Sequence, residues 1–360
     1  MASADTKVMA VDPLRPDPAL LRQAVKVLRD GGLIVIPTET VYGLAADPRV
    51  AGAEDRIYAA KERDRGKPIP FLAYSPDAVE THGGILSPDA RRLARRYWPG
   101  PLTLVLRCGD RTEGFRVPDH AVTRAMLKAS GGILRVTSAN LSGEPAARDA
   151  RAALAALGGR VAMVLDAGPA DLGRESTVVD ATGSELRVLR EGAIPRGQVL
   201  GPPMVLLVCT GNVCRSPMAE YLLRRWLGPD SRWDVRSAGV STFDGLPASD
   251  EAVEALREKG LDGQTHRSRY LNQELVDAAD LIVVMTRSHR RMILDRFPRA
   301  RERVVLLNEF SHQRRGLDVE DPIGMSQDVY RACRDEMNAA MPDLVLHLHE
   351  LLAEKRGSKQ

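Results

Sequence analysis

Apolar and polar positions along the chain fall into blocks that switch between a helical and an extended period. Over 18–29, Leu20, Leu21, Ala24, Val25 and Leu28 share one helix face, and Gly31-Gly32 ends the helix before the apolar run 33–36, a central strand. A second helix is expected over roughly 53–61. Further on, 205–208 reads as a buried strand, followed by a loop containing Gly211. An amphipathic run over 216–227 then reads as a helix with Pro217 in its first turn. The segments 233–239, 279–285 and 303–308 read as strands, 248–259 as a helix stopped by Gly260, and about 327–352 as a final helix. The first half is therefore expected to be mixed α/β, and the second a parallel sheet with helices on both faces. In such a sheet ligands bind at the carboxyl end of the strands.

Composition bounds this picture without redirecting it. The chain has 360 residues, 44% hydrophobic and 28% charged, which suits two soluble domains that each bury a core. No apolar run reaches the roughly 18–20 residues that span a bilayer, and the N-terminus lacks the plan of a secretion signal, so a cytoplasmic location without membrane contact is expected. The four cysteines (Cys108, Cys209, Cys214, Cys333) include no Cys-x-x-Cys pair, which points to neither a disulfide scaffold nor a bound metal. A net charge of +3 is too mild to argue for nucleic acid, and the arginine clusters fit solvated helix faces.

The segment Cys209-Thr210-Gly211-Asn212-Val213-Cys214-Arg215-Ser216 joins the strand at 205–208 to the helix at 216–227. Such a turn aims backbone N–H groups and a helix N-terminus into one bowl, an anion site. The same field would hold Cys209 as a thiolate at neutral pH, and Arg215 adds a planar fork for two phosphate oxygens. A thiolate inside a phosphate cradle means phosphoryl transfer through a phosphocysteine. The stretch resembles the signature loop of the low-molecular-weight protein-tyrosine-phosphatase family, over about 204–352, with Ser237-Ala238-Gly239 and Asp321-Pro322. The resemblance implies a doubly wound parallel-sheet fold, Cys209 and Arg215 as catalytic residues, and Asp321 as the general acid that protonates the leaving group. It also implies a phosphate loop of Thr210, Gly211, Asn212, Val213, Cys214 and Ser216, with Asn212 shaping the loop and Ser216 bonding the thiolate. Cys214 reads either as a packing residue or as a thiol that captures oxidised Cys209. Phosphotyrosine members usually carry a bulky aliphatic at the Val213 position, whereas phosphoarginine members carry Thr there. With Ile323-Gly324 after Asp321-Pro322, the chain mixes both patterns; phosphotyrosine in a phosphoprotein is the expected substrate, with phosphoarginine as the alternative.

In the first half, Lys61, Arg63 and Lys67 precede an apolar segment, and Arg116 and Arg190 stand alone beside strands. They suit a triphosphate or a carboxylate, or else form an ordinary charged helix end. Ser138 and Asn140 could bond phosphate or adenine. The spacing Lys61-x-Arg63, the pair Ser138-x-Asn140 and the block Pro37-Thr-Glu-Thr-Val-Tyr-Gly resemble the YrdC-type threonylcarbamoyl-AMP synthase family, over about 11–195. That resemblance implies a YrdC-like mixed α/β fold. It implies synthesis of L-threonylcarbamoyladenylate from L-threonine, bicarbonate and ATP, with Mg2+ carried by the ATP, for threonylcarbamoyladenosine on tRNA. Thr40, Arg116 and Ser176 would hold threonine; Lys61, Arg63, Lys67, Thr112, Ser138, Asn140 and Arg190 would line the nucleotide. One departure stands out: relatives often carry a polar residue such as His where this chain has Phe71-Leu72-Ala73.

The expected organisation is a synthase domain over 11–198, a Gly/Pro-rich linker over 199–203, and a phosphatase domain over 204–354. The competing reading of the first domain is a module that only binds nucleotide, double-stranded RNA or tRNA in the service of the phosphatase; tRNA or the tRNA-modification machinery is the further partner to be expected.

Overall fold

The computed structural model describes residues 6–353. The N-terminal residues 1–5 and residue 354, the expected end of the second domain, lie outside them. The described residues form two compact units, divided between Leu200 and Gly201.

The first unit is built on a mixed eleven-stranded sheet. Helix Pro18–Arg29 forms as the apolar spacing requires: Asp17 accepts from Ala19 N–H at 2.8 Å, Pro18 opens the first turn, and the buried face carries the five apolar residues named above. With helix Ala121–Ala129 it covers one face of the sheet, against Ile34, Ile36, Leu72, Leu134 and Val136. Helices Ala53–Lys61 and Ala150–Leu157 pack on Val35, Leu44 and Ala46, which alternate to the opposite face. At the sheet centre, strand Ile133–Ser138 pairs antiparallel with both Gly43–Ala46 and Phe71–Ala73. Strand Phe71–Ala73 in turn runs parallel to Arg111–Arg116. These pairings draw together segments that lie far apart in sequence.

Helix Arg196–Leu200 closes the unit, and its Val199 is fully buried among Trp98, Leu102 and Ile194. The connection expected at 199–203 therefore begins inside that helix, because Val199 is needed as core.

The second unit holds a four-stranded parallel sheet in the order Asp234–Gly239, Met204–Cys209, Leu281–Val284, Val304–Leu306. Met204, Leu206 and Val208 face helices Gln273–Ala278 and Arg287–Arg296, while Val205, Leu207 and Cys209 face helices Arg215–Leu227, Asp250–Arg257 and Gln327–Leu352. Burial on both faces explains the continuous apolar run. The strand expected over 303–308 stops at Leu306, and Leu307–Phe310 turns into a 3-10 segment. The helix expected from 248 starts at Asp250, because the Ser249 hydroxyl caps it by accepting from Ala252 N–H. Among the described residues, no helix is long and apolar enough to cross a membrane.

Candidate active sites

In the first unit a cavity of about 260 Å³ opens over the sheet centre, lined by Thr40, Thr112, Arg116 and Ser176, with Leu72 as an apolar wall. A second cavity, of about 320 Å³, is lined by Lys61, Lys67 and Asn140. Arg63, Ser138, Glu175 and Arg190 border both. The structure thus brings all ten residues singled out in the sequence of this half to two adjoining cavities.

Their hydrogen bonds divide the cavities chemically. Arg116 is buried; it donates from Nη1 to Thr40 Oγ1 at 2.8 Å, from Nε to Gly100 O at 3.1 Å, and pairs through Nη2 with Glu39 Oε1 at 2.6 Å. The Ser176 hydroxyl lies 2.8 Å from Thr103 Oγ1, and Arg190 donates to Ser176 O at 2.9 Å and to Glu175 Oε1 at 2.8 Å. This corner pairs a guanidinium with hydroxyls and an apolar wall, a set that matches a small hydroxylated amino acid. The other cavity is a cluster of cations. Lys61, 1% exposed, spends its three donors within the protein, on Ser138 O, Asn140 O at 2.5 Å and Asn140 Oδ1 at 3.2 Å. It braces the loop over 138–140, and Arg63, Lys67 and Arg190 are the cations that border the open space. Burial, and then the nearby Arg63, push the Lys61 ammonium down to about 8. The sequence reading gave no role to Glu39, Thr103 or Glu175. A carboxylate inside the run Pro37-Thr-Glu-Thr-Val was the one signal for Glu39.

In the second unit Cys209 ends the first strand, 2% exposed. Its Sγ lies 3.0 Å from Ser216 Oγ and accepts from Asn212 N–H at 3.3 Å. Asn212 adopts φ +54°, the left-handed region, so that the loop can turn back over the sulfur. Its amide nitrogen donates to Ser216 Oγ at 2.9 Å and Ser237 Oγ at 2.8 Å, its Oδ1 accepts from Arg269 N–H at 2.8 Å, and its carbonyl lies 2.8 Å from His266 Nε2. Gly239 is required beside the loop, since a Cβ there would stand 2.6 Å from Thr210 O. Arg215 donates from Nη1 to Val319 O at 3.1 Å and from Nη2 to Thr210 Oγ1 at 3.3 Å, and it pairs with Asp321 Oδ2. The guanidinium Nε is buried without a partner. Gly211 and Val213 are half-buried on the loop. Cys214 is buried against Tyr330 Oη at 3.2 Å and Ser249 Oγ at 3.5 Å, and burial pushes its thiol up. His266 and His289, both buried beside the loop, were not singled out in the sequence, where nothing links them to residues more than 50 positions away.

Among the described residues, no group of three or more His, Cys, Asp or Glu side chains is placed to hold a metal ion.

Residues 26–192 match the Sua5, YciO and YrdC family model, described as telomere recombination, and residues 204–356 match that of the low molecular weight phosphotyrosine protein phosphatases. A threonylcarbamoyl-AMP synthase of Thiobacillus denitrificans is 40% identical over 171 residues, 44% of this chain and 90% of the relative. One of Bacillus subtilis is 35% identical over 209 residues, 54% of this chain, and the chain spans 60% of that relative's length. A protein-arginine-phosphatase of Geobacillus stearothermophilus is 41% identical over 159 residues, 44% of this chain and 99% of the relative. The chain belongs to two enzyme families in succession, Sua5/YciO/YrdC in its first unit and low-molecular-weight phosphatase in its second.

Proposed function

We propose that the first unit joins L-threonine, bicarbonate and ATP into L-threonylcarbamoyladenylate, releasing pyrophosphate. The observation that carries this reading is the adjacency of an Arg116–Thr40–Ser176 corner to a cluster of cations. The corner would take the amino-acid carboxylate and hydroxyl, with Leu72 against the methyl group. Arg63, Lys67 and Arg190 would neutralise the phosphates, so that catalysis is positioning and charge stabilisation. Magnesium fits as an ion brought by the nucleotide: it keeps several waters and takes one or two carboxylates, and Glu175 borders both cavities. The adenylate would then serve threonylcarbamoyladenosine formation on tRNA. Exchange of labelled pyrophosphate into ATP that requires both threonine and bicarbonate supports this reading. RNA binding without exchange would replace it with a binding module.

The second unit is proposed to hydrolyse phosphoprotein monoesters. Cys209 Sγ would attack phosphorus as the leaving group departs with a proton from Asp321. Water, giving its proton back to Asp321, would then break the phosphocysteine. Ser216 Oγ and the Asn212 N–H against the sulfur, with the buried Arg215 guanidinium at the end of the same loop paired to Asp321, carry this reading. Loss of aryl phosphate turnover in Cys209→Ser tests it. The aliphatic Val213 favours phosphotyrosine as substrate. The relative named protein-arginine-phosphatase favours a second reading, phosphoarginine.

A further inference from the structure

His289 is 4% exposed and takes no part in the reaction just described, yet both its ring nitrogens are engaged. Nε2 lies 2.9 Å from Thr210 Oγ1, and Nδ1 lies 3.0 Å from Thr286 Oγ1. Thr286 is the N-cap of helix Arg287–Arg296 and accepts from the His289 backbone N–H at 3.2 Å, so the ring is anchored to a helix end. On its other side, Thr210 Oγ1 accepts from Arg215 Nη2 at 3.3 Å.

Given the phosphatase reading, we propose that His289 is a positioning residue: it fixes the Thr210 hydroxyl, and through it the Arg215 guanidinium, for phosphate capture. Arg215 has three partners in this structure, Val319 O, Thr210 Oγ1 and Asp321 Oδ2. The last must be released when Asp321 turns to protonate the leaving group. From that moment Thr210 is the one partner left on Nη2, and a hydroxyl rotor is a firm stop only when its own remaining site is filled. His289 fills it. Burial and the nearby Arg215 push the ring down to about 4, so it performs this task without adding a second positive charge to the cradle.

Paired substitutions separate positioning from mere packing. His289→Gln places an amide nitrogen near the Nε2 position and retains a partner for Thr210; His289→Asn places it near Nδ1 and retains only Thr286. In the full chain, aryl phosphate turnover should fall about tenfold in kcat for His289→Asn and Thr210→Val, while His289→Gln recovers most of the loss and melts with His289→Asn. The double variant His289→Asn/Thr210→Val should be no slower than Thr210→Val, because both remove one contact. Equal activity of the Asn and Gln variants, or additive losses in the double variant, would overturn the proposal while leaving the phosphatase reading intact. A wild type with no turnover would overturn both.

Discussion

The carboxylate of Glu39 lies 2.6 Å from Arg116 Nη2, with the two side chains only 2% and 8% exposed. Glu39 Oε2 is buried with no hydrogen-bond partner. Such a pair is maintained by mutual attraction in a place where neither charge meets water, and removing one partner strands the other. Glu39→Gln should therefore destabilise the protein by about 3–5 kcal/mol and raise the KM for threonine, since Arg116 also holds Thr40. Thermal unfolding of the full chain checks the first effect, and threonine dependence of pyrophosphate exchange the second. Wild-type stability in the variant would mean that the pair contributes nothing.

Lys61 gives a pH signature. Its folded value of about 8 is set by burial and lies below the roughly 10.4 of a free lysine. As pH rises through about 8 the ammonium becomes an amine and one of its three donors disappears, which loosens the loop over 138–140. The value of kcat/KM for ATP should fall above that pH, and Lys61→Arg should abolish the limb. Stability moves the other way: between the two values the unfolded chain binds the extra proton, so this group's contribution to folding improves with rising pH. A flat alkaline profile in the wild type would contradict the assignment.

How much of this was legible in the sequence depended on how local the geometry is. The stretch from Cys209 to Ser216 is eight consecutive residues running from a strand end into a helix, so its residue types and the turn they make appear together. The cavities of the first unit are different. Lys61 meets Ser138 and Asn140, 77 and 79 positions away, because strand Ile133–Ser138 pairs with Gly43–Ala46. Those residues could be grouped only through a family resemblance. Glu39, Thr103 and His289 were illegible for the same reason: their partners lie 73 to 79 positions off, and a single polar residue carries no sign of which distant group satisfies it.

Asn212 combines a positive φ with three side-chain hydrogen bonds, to Ser216, Ser237 and the Arg269 N–H, and its two functions can be separated. Asn212→Ala should cost about 1–2 kcal/mol for the left-handed backbone and a further 1–3 kcal/mol for the side-chain bonds left unmade. Asn212→Gly removes only the second amount, so it should be the more stable variant. Chemical denaturation of the two checks the order; equal midpoints would indicate that the backbone is not strained.

Asp321 pairs with Arg215, and the proposed mechanism has it leave that partner to protonate a leaving group. Asp321→Asn should slow turnover by about 10²- to 10⁴-fold for a poorly acidic leaving alcohol, and much less for an activated aryl phosphate that needs no proton. A loss independent of leaving-group acidity would assign Asp321 to holding Arg215 instead.

Under the proposed phosphatase activity, Val213 is the position at which the two phosphoryl substrates are to be told apart. The residue is half-buried on the phosphate loop, packed against the core, and its carbonyl accepts from Ser249 N–H at 2.9 Å, which fixes its backbone. An aliphatic wall there suits the face of a phosphotyrosine ring. A phosphoarginine guanidinium carries N–H donors that an aliphatic group leaves unpaired, and an unpaired buried donor costs about 1–3 kcal/mol, or roughly 5- to 150-fold. The wild type should accordingly release phosphate faster from phosphotyrosine than from phosphoarginine peptides, and Val213→Thr, which supplies an acceptor of nearly the same size, should narrow or reverse the ratio. Faster release from phosphoarginine by the wild type would place the chain with its 41%-identical relative despite the valine. Selectivity would then rest on groups outside the loop, with the exposed Ile323, two residues after Asp321, as the first to be changed.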